Sequence, residues 1–547
     1  MAKKTRLKSG FTLGGEQAEA DPLAEEAFVE TSLYEIIDSR RDPRCFLVGR
    51  TGSGKSAALQ HLEERHPDRV VRISPEDLSL PYITDLQVIK YMDSLDVKLD
   101  LFWIALWKHV LLVEIIRRRY KINSPEAKQK FITGLREKLR RDPGKEEALQ
   151  YLDEFEGRFW VEADERVRQI TNTFRDKIDG EANLQLGTGP LKMGGTLGKS
   201  HEEETESRAE LADRFQRIVN QTQLSKLNRM MTVLDEEILD QAHFTYVVID
   251  DLDRHWVDER ISNDLVRCLF RTVLDMQKVT HLKVLVALRT NIFQELDFGR
   301  SGGQEEKFRS LVLEMKWTNA NLEEVLDERV KVSSARGGLE ALALRELLPH
   351  ANRARGNPID YLLDRTLMRP RDAIAFANEC LAEAAGKASI SWDAIQTAER
   401  SYSAKRLLAL RDEWKGTYPG IDAVVEKFRA SPGRMTIEDL ERRLDDCMLL
   451  ISDPAFTGVR WMTEVSRAMW ESSIATASWY SLYQPLLSVL YRIGVIGCAP
   501  QSAAAPVFFS GDPFLVDSES SLVRCKSFYV HRMFQKALDV RLARDGE

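Results

Sequence analysis

The chain has few cysteines, no net positive charge and no long apolar run. Its six cysteines (Cys45, Cys268, Cys380, Cys447, Cys498 and Cys525) are scattered across 547 residues, with no CxxC pair. That pattern excludes a disulfide scaffold and a zinc site and fits reduced thiols in a cytoplasmic protein. Seventy-eight basic residues stand against 86 acidic ones, a net charge of −8. No global positive field therefore draws the chain to nucleic acid or anionic lipid. The basic tip MAKKTRLKSG has no apolar stretch behind it and does not read as a secretory signal. The most apolar window, residues 101–116, is interrupted by Lys108, His109 and Glu114. It falls short of the roughly 20 apolar residues a membrane span needs, so a buried helix is expected there and no membrane partner.

What is present is a globular composition, 43% hydrophobic and 30% charged, in a chain long enough for several folded parts. An acidic, alanine-rich stretch over 21–39 predicts a helix. A short apolar strand at 44–48 follows, then a glycine-rich turn, a helix over 55–65 and a second strand at 70–73, the opening of a parallel sheet. Residues 78–239 read as helical, broken by the glycine-rich 186–200. Strands return at 244–249 and 283–288, apolar on both faces as in the middle of a parallel sheet. A helix over 259–278 joins these two strands, and a shorter strand is expected at 312–317. Beyond it the pattern is helical to about residue 472. The tail then gives a helix over 482–493, strands at 506–510 and 527–530, and a last helix. The expected divisions are 1–30, 31–80, an insertion over 81–240, 241–330, a helical part over 331–418 and a final part over 419–547.

Gly49-Arg50-Thr51-Gly52-Ser53-Gly54-Lys55-Ser56 matches GxxxxGK[ST] in full. Glycines let the backbone aim successive N–H groups at closely spaced phosphate oxygens. The helix that begins at the loop, entered through Ala57, adds its positive end. On this reading Lys55 reaches the β- and γ-phosphates and the Ser56 hydroxyl holds Mg²⁺, which makes ATP and Mg²⁺ the expected ligands. A second GKS, at Gly198-Lys199-Ser200, lacks the loop spacing and a preceding strand, and an acidic run follows it. It reads as a linker.

The run VVIDDLDR, residues 247–254, supplies carboxylates at the end of a buried strand. Asp250 is placed to hold magnesium through water. Asp251 is the candidate to orient the attacking water, with Asp253 the alternative. Arg289, at the tip of the strand over 283–288, can report a γ-phosphate. Arg371, in the MRPRD segment that starts a later helix, can reach nucleotide from a helical lid. The ordinary alternatives are an acidic turn for the aspartates and surface charge for the arginines.

GRTGSGKS with VVIDDLDR resembles the KAP-type and STAND-related P-loop NTPases, relatives of the AAA+ proteins. The chain is most similar to a prokaryotic branch of soluble P-loop ATPases found beside antiphage defence genes. GFTLGGEQAEADPL, LRTNIF, MRPRDAIAFANEC and SFYVHRMFQKAL also have the look of that branch. The resemblance implies an α/β fold: a parallel P-loop NTPase sheet with a long helical insertion, a helical lid and a carboxyl-terminal winged helix. It implies an ATPase that acts as a switch or assembly, with Lys55, Ser56 and Asp250 in the nucleotide site and Asp251 and Arg289 in the second acidic and sensor positions. Many AAA+ proteins have glutamate where Asp251 stands, and the shorter side chain predicts slow hydrolysis. KAP proteins often carry membrane helices in the insertion, which this chain lacks by sequence.

Residues 479–547 hold seven Lys/Arg against six Asp/Glu, so a protein partner is favoured over DNA for the tail. Self-association and a separate effector or sensor protein are the expected partners. A DNA-binding loader or remodeller is the second reading. A P-loop kinase of small molecules is the third, set aside because such kinases are compact.

Overall fold

The computed structural model of the chain describes residues 7, 10–74, 97–122, 124–140, 148, 216, 224–252, 259–296, 305–337, 342–475, 479–500 and 505–542. Two compact units divide it: Glu30–Arg50 with Lys55–Met315, and Met1–Val29 with Thr51–Gly54 and Lys316–Glu547.

The unit built on Glu30–Arg50 and Lys55–Met315 is an α/β fold around a five-stranded, wholly parallel sheet. Its strands are β1 (Phe46–Gly49), β2 (Val70–Ile73), β3 (Thr245–Ile249), β4 (Leu282–Arg289) and β5 (Val312–Glu314), in the order β2-β3-β4-β1-β5. Every residue of β1 and β3 is buried, which is why the sequence shows unbroken apolar runs there. β4 lies between β1 and β3, with Gly49 opposite Arg289 and Ile249 opposite Val286.

Helix α1 (Ser32–Asp38) precedes β1, and α2 (Lys55–Arg65) follows the loop after it. Of the long segment between β2 and β3, three α-helices are described, α3 (Asp100–Arg119), α4 (Pro125–Leu139) and α5 (Leu224–Val233), followed by short π and 3-10 turns at Leu234–Ile238 and Gln241–His243. α3 is the apolar window of the sequence, and it is buried. Two of its polar residues, Lys108 and His109, are buried with it. Lys108 donates from Nζ to Asp275 Oδ2 at 2.6 Å and to Asn228 Oδ1 at 2.8 Å, partners without which the charge would be too costly to bury. Asp275 lies on α6 (Glu259–Met276), against which α3 packs, and Trp107 Nε1 donates to Leu265 O of the same helix. Among the described residues no helix is long and apolar enough to cross a membrane.

The other unit is mainly helical. α7 (Asn319–Arg336), α8 (Pro370–Glu383) and α9 (Trp392–Trp414) are followed by α10 (Ile437–Met448), α11 (Arg460–Ala475) and α12 (Trp479–Arg492). A two-stranded antiparallel sheet, β6 (Ile496–Ala499) and β7 (Ser527–Val530), closes it. One apolar cluster runs from Leu7 to Leu538. The N-terminal segment lies in this unit as a strap. Asn378 accepts the Leu13 N–H at 2.7 Å and donates to Gly14 O at 2.9 Å. Arg329 donates to Leu13 O at 2.6 Å and pairs with Asp21 at 2.7 Å, and Arg406 pairs with Glu16 at 2.7 Å.

Several expected boundaries move. The helix expected over 21–39 is confined to Ser32–Asp38. Asp21 instead turns its own backbone, accepting the N–H groups of Gly15 and Leu23 at 2.9 and 3.1 Å while facing Arg329. The first strand begins at Phe46 and not at 44, because the Arg44 guanidinium is bound bidentately by Asp42. The division expected at 330/331 would cut α7; the units part at Met315/Lys316. The strand expected at 506–510 is a single bridge between Val507 and Cys498, since Pro506 has no N–H to give and a turn follows at Gly511. The strand actually present at Ile496–Ala499 had been hidden by Gly497, whose missing Cβ would lie 2.5 Å from the Phe508 ring. The last helix is a single turn, Arg532–Gln535. The glycine-rich 186–200 and its GKS lie outside the described residues.

Candidate functional site

The GxxxxGKS segment joins the carboxyl end of β1 to the first turn of α2, so Lys55 and Ser56 open a helix. Two of its glycines adopt left-handed backbone, Gly52 at φ +80 and Gly54 at φ +90, a region closed to most L side chains. The loop's residues divide between the two units, and each set of contacts is local. In the sheet unit, Lys55 Nζ donates to Gly49 O at 2.8 Å and Arg50 O at 3.1 Å. The ammonium thus lies back over the curve of its own loop.

In the helical unit, the tip Thr51–Gly54 is held by its carbonyls. Arg369 Nη1 donates to Thr51 O at 2.9 Å, the Arg371 N–H points to Gly52 O at 3.4 Å, and Trp317 Nε1 donates to Ser53 O at 2.8 Å. A Cβ on Gly52 would fall 2.7 Å from Arg371 Cβ. All three bonds engage a C=O of the tip and none an N–H. Thr51 Oγ1 and Ser53 Oγ are buried with no hydrogen-bond partner among the protein atoms, a condition that usually marks a missing ligand, ion or water.

The acidic strand end belongs to the sheet unit. Asp250 follows directly on β3, and Asp251 has φ +61, an uncommon value for a residue with a side chain. Its N–H donates to Asp250 Oδ1 at 2.9 Å. Asp250 Oδ2 faces Arg72 Nη1 at 3.8 Å. Arg289 ends β4 and starts the next short helix. Across the carboxyl edge of the sheet the lateral order is therefore Asp250 on β3, Arg289 on β4 and the glycine loop on β1. Neighbouring strands lie about 4.8 Å apart, so β3 and β1 are separated by roughly 10 Å, the width of one strand between them. Asp253 lies outside the described residues.

Among the helical-domain residues, Arg371 spends Nε on Glu16 O at 2.9 Å, and burial followed by the neighbouring Arg369 lowers its pKa. Arg369 carries the firmer attachment to the loop. Burial opposes its charge, but Asp372 and Glu413, at 2.8 and 2.9 Å, outweigh burial and raise its pKa. Asp372 is itself fully buried, yet its pKa is lowered because Arg369 and Arg406 together outweigh its burial.

Arg72, Trp317 and Arg369 were not singled out from the sequence as site residues. Arg369 carried a signal, since it sits two residues before Arg371 in the same MRPRD motif. Arg72 and Trp317 carried none. An arginine within VVRI and a tryptophan after a short strand look like ordinary surface and core.

For a nucleotide, the two left-handed glycines, the tip N–H groups outside those three bonds and the buried hydroxyls fit a bound polyphosphate. For magnesium, Ser56 and Asp250 are a fitting donor set. No group of three or more His, Cys, Asp or Glu able to hold a metal occurs among the described residues, and an ion held largely by phosphate oxygens and water does not require one.

A protein-family model described as a FunZ-associated C-terminal helical domain matches residues 320–411. The match covers α7, α8 and most of α9, and includes Arg329, Arg369, Arg371, Asn378 and Arg406. No curated protein matches the chain. The chain thus carries a helical domain similar to those associated with FunZ as well as a parallel α/β sheet.

Proposed function

We propose that the chain is an ATP-binding and ATP-hydrolysing P-loop NTPase of the AAA+-related kind, acting as a nucleotide-controlled switch or assembly. One observation carries the reading: a complete GxxxxGKS loop leaves the end of a parallel strand, and an aspartate ends the strand one place beyond its neighbour. Gly49–Ser56 backbone amides bind the triphosphate. Lys55 leaves its carbonyls for the β- and γ-phosphates, a stronger electrostatic partner. Ser56 and Asp250 hold magnesium, which when bound neutralises charge on the phosphate oxygens.

In hydrolysis a water oxygen bonds to the γ-phosphorus as the bond from that phosphorus to the β–γ bridging oxygen breaks. ADP leaves with the bridging oxygen. Asp251, or Asp253 as the alternative, orients the water and accepts its proton. The left-handed backbone at Asp251 supports the first assignment, because strained residues cluster where a side chain must be aimed. Arg289, level with Gly49 on the intervening strand, is assigned to stabilise γ-phosphate charge. Arg371 is assigned a nucleotide contact from the helical domain.

We read α10, α12, β6 and β7 as a winged helix that contacts protein, given the near-neutral charge of the tail. Self-association and a separate effector are the proposed partners, and a cytoplasmic role in prokaryotic antiviral defence rests on the sequence resemblance. The test is hydrolysis of ATP to ADP and phosphate with Mg²⁺. Wild-type protein should release phosphate, and D250N should lose at least 100-fold, on the order of an electrostatic group removed from a transition state. Undiminished turnover by D250N would refute the assignment. DNA that stimulates turnover at low salt would favour the loader reading instead.

A further inference from the structure

Arg72 is the one exposed position on a strand otherwise buried, β2. It pairs in register with Val248, two residues before Asp250. Its guanidinium spans two carboxylates. Nε donates to Glu63 Oε2 of α2 at 3.0 Å, a true hydrogen bond, whereas Nη1 stands 3.8 Å from Asp250 Oδ2, too far for one. The two oxygens of Asp250 are thus treated differently. Oδ1 is fixed by the Asp251 N–H at 2.9 Å, and Oδ2 faces a loosely held countercharge.

We propose that Arg72 is a positioning residue that occupies the place of metal charge at Asp250 and yields it to magnesium, with Glu63 as the anchor that receives it. The proposal rests on the nucleotide reading above. Two cations cannot both sit at Oδ2. An arginine tied to Glu63 through Nε can swing Nη1 away without losing that bond, so the exchange costs little. In the absence of nucleotide, Arg72 stands as the countercharge facing Asp250 Oδ2. Its presence raises the magnesium concentration needed to complete the site, so Arg72 sets the metal threshold. Glu63 sets how readily Arg72 leaves.

The two partners therefore predict opposite effects. Thermal unfolding of the full chain is followed in the presence of a fixed excess of a non-hydrolysable ATP analogue while Mg²⁺ is titrated. R72A and R72Q should lower the Mg²⁺ concentration for half-maximal stabilisation by about two- to fivefold, the range of an exposed ion pair. R72K should stay near wild type. E63A, which frees Arg72 for Asp250, should raise that concentration. A merely structural role for the trio would instead lower the melting temperature without analogue and leave the midpoint in place.

Unchanged midpoints in R72A and R72Q, or shifts of the same sign in R72A and E63A, overturn the proposal. Wild-type protein is run beside K55A as the control. If wild type shows no Mg²⁺-dependent shift that K55A lacks, the nucleotide reading falls and this proposal with it. If that shift is present and the Arg72 variants match wild type, only this proposal falls.

Discussion

At the scale of single residues, buried charges are where this chain can be tested most sharply. Lys283 sits within β4 at 6% exposure, its ammonium donating to Ile36 O and Ser39 O at 2.7 Å each. Burial pulls its pKa from 10.5 down to about 8. Below about pH 8 the lysine is protonated whether the chain is folded or not, and the folded state bears the full cost of the buried charge. As pH climbs from 8 toward 10.5, the folded chain releases a proton that the unfolded chain keeps, so folding gains stability. The gain is at most about 3 kcal/mol at 1.36 kcal/mol per pKa unit. Denaturant unfolding at pH 8 and pH 10.5 should therefore show wild type gaining on K283M across that window. A constant difference between the two would mean Lys283 titrates normally.

Arg369 gives the complementary case. It joins Asp372, Glu413 and the Thr51 carbonyl, and its removal leaves Asp372 buried with Arg406 at 3.4 Å and the Leu367 N–H at 3.1 Å to offset its charge. R369A should cost about 3–5 kcal/mol, the range for breaking one side of a buried pair. A loss under 1 kcal/mol in urea unfolding would show that the network relaxes or admits water.

At the scale of elements, the sheet and its loop were legible because their signals are local. FTYVVI and KVLVAL are apolar without alternation, and a buried parallel strand produces that pattern whatever surrounds it. The glycines at 52 and 54 announce left-handed backbone, and both have it. The helix expected over 482–493 is present as α12, and Leu486, Leu487 and Leu490 on it, with Ile493 just after it, are fully buried. What the sequence hid depended on tertiary partners. Asp21 bends the chain because Arg329, 308 positions later, is there to meet it. Ile496–Ala499 forms a strand because a ring from Phe508 fills the space over Gly497. Replacing that glycine by valine should therefore loosen β6 through overpacking, at about 1–3 kcal/mol. The check is amide exchange along Ser527–Val530, which should quicken in G497V; unchanged protection would show that Phe508 moves aside freely.

Among the site residues the same division holds. The loop and Asp250 could be named from composition and order alone. Arg72 reaches Asp250 only because β2 and β3 pair in the register they do, and no reading of VVRI contains that.

At the scale of the whole molecule, the chain passes between the sheet unit and the helical unit several times. The helical unit draws on the N-terminal strap as well as on residues after 316, and the FunZ-associated match begins only at residue 320. The matched segment is therefore not self-sufficient here: Arg329, Asn378 and Arg406 all hold residues of the strap. Residues 320–542 expressed without 1–29 should unfold at lower urea than the same segment supplied with the strap peptide. Equal stability would make the strap incidental.

The central claim is that the loop from Gly49 to Ser56 holds a magnesium-bound triphosphate. Equilibrium binding of labelled ATP to the full-length protein with Mg²⁺, wild type against K55A, tests it most directly. Wild type should bind saturably, and K55A should lose at least 10-fold in affinity, about 1.4 kcal/mol or more. Equal uptake of ATP by both proteins would contradict it.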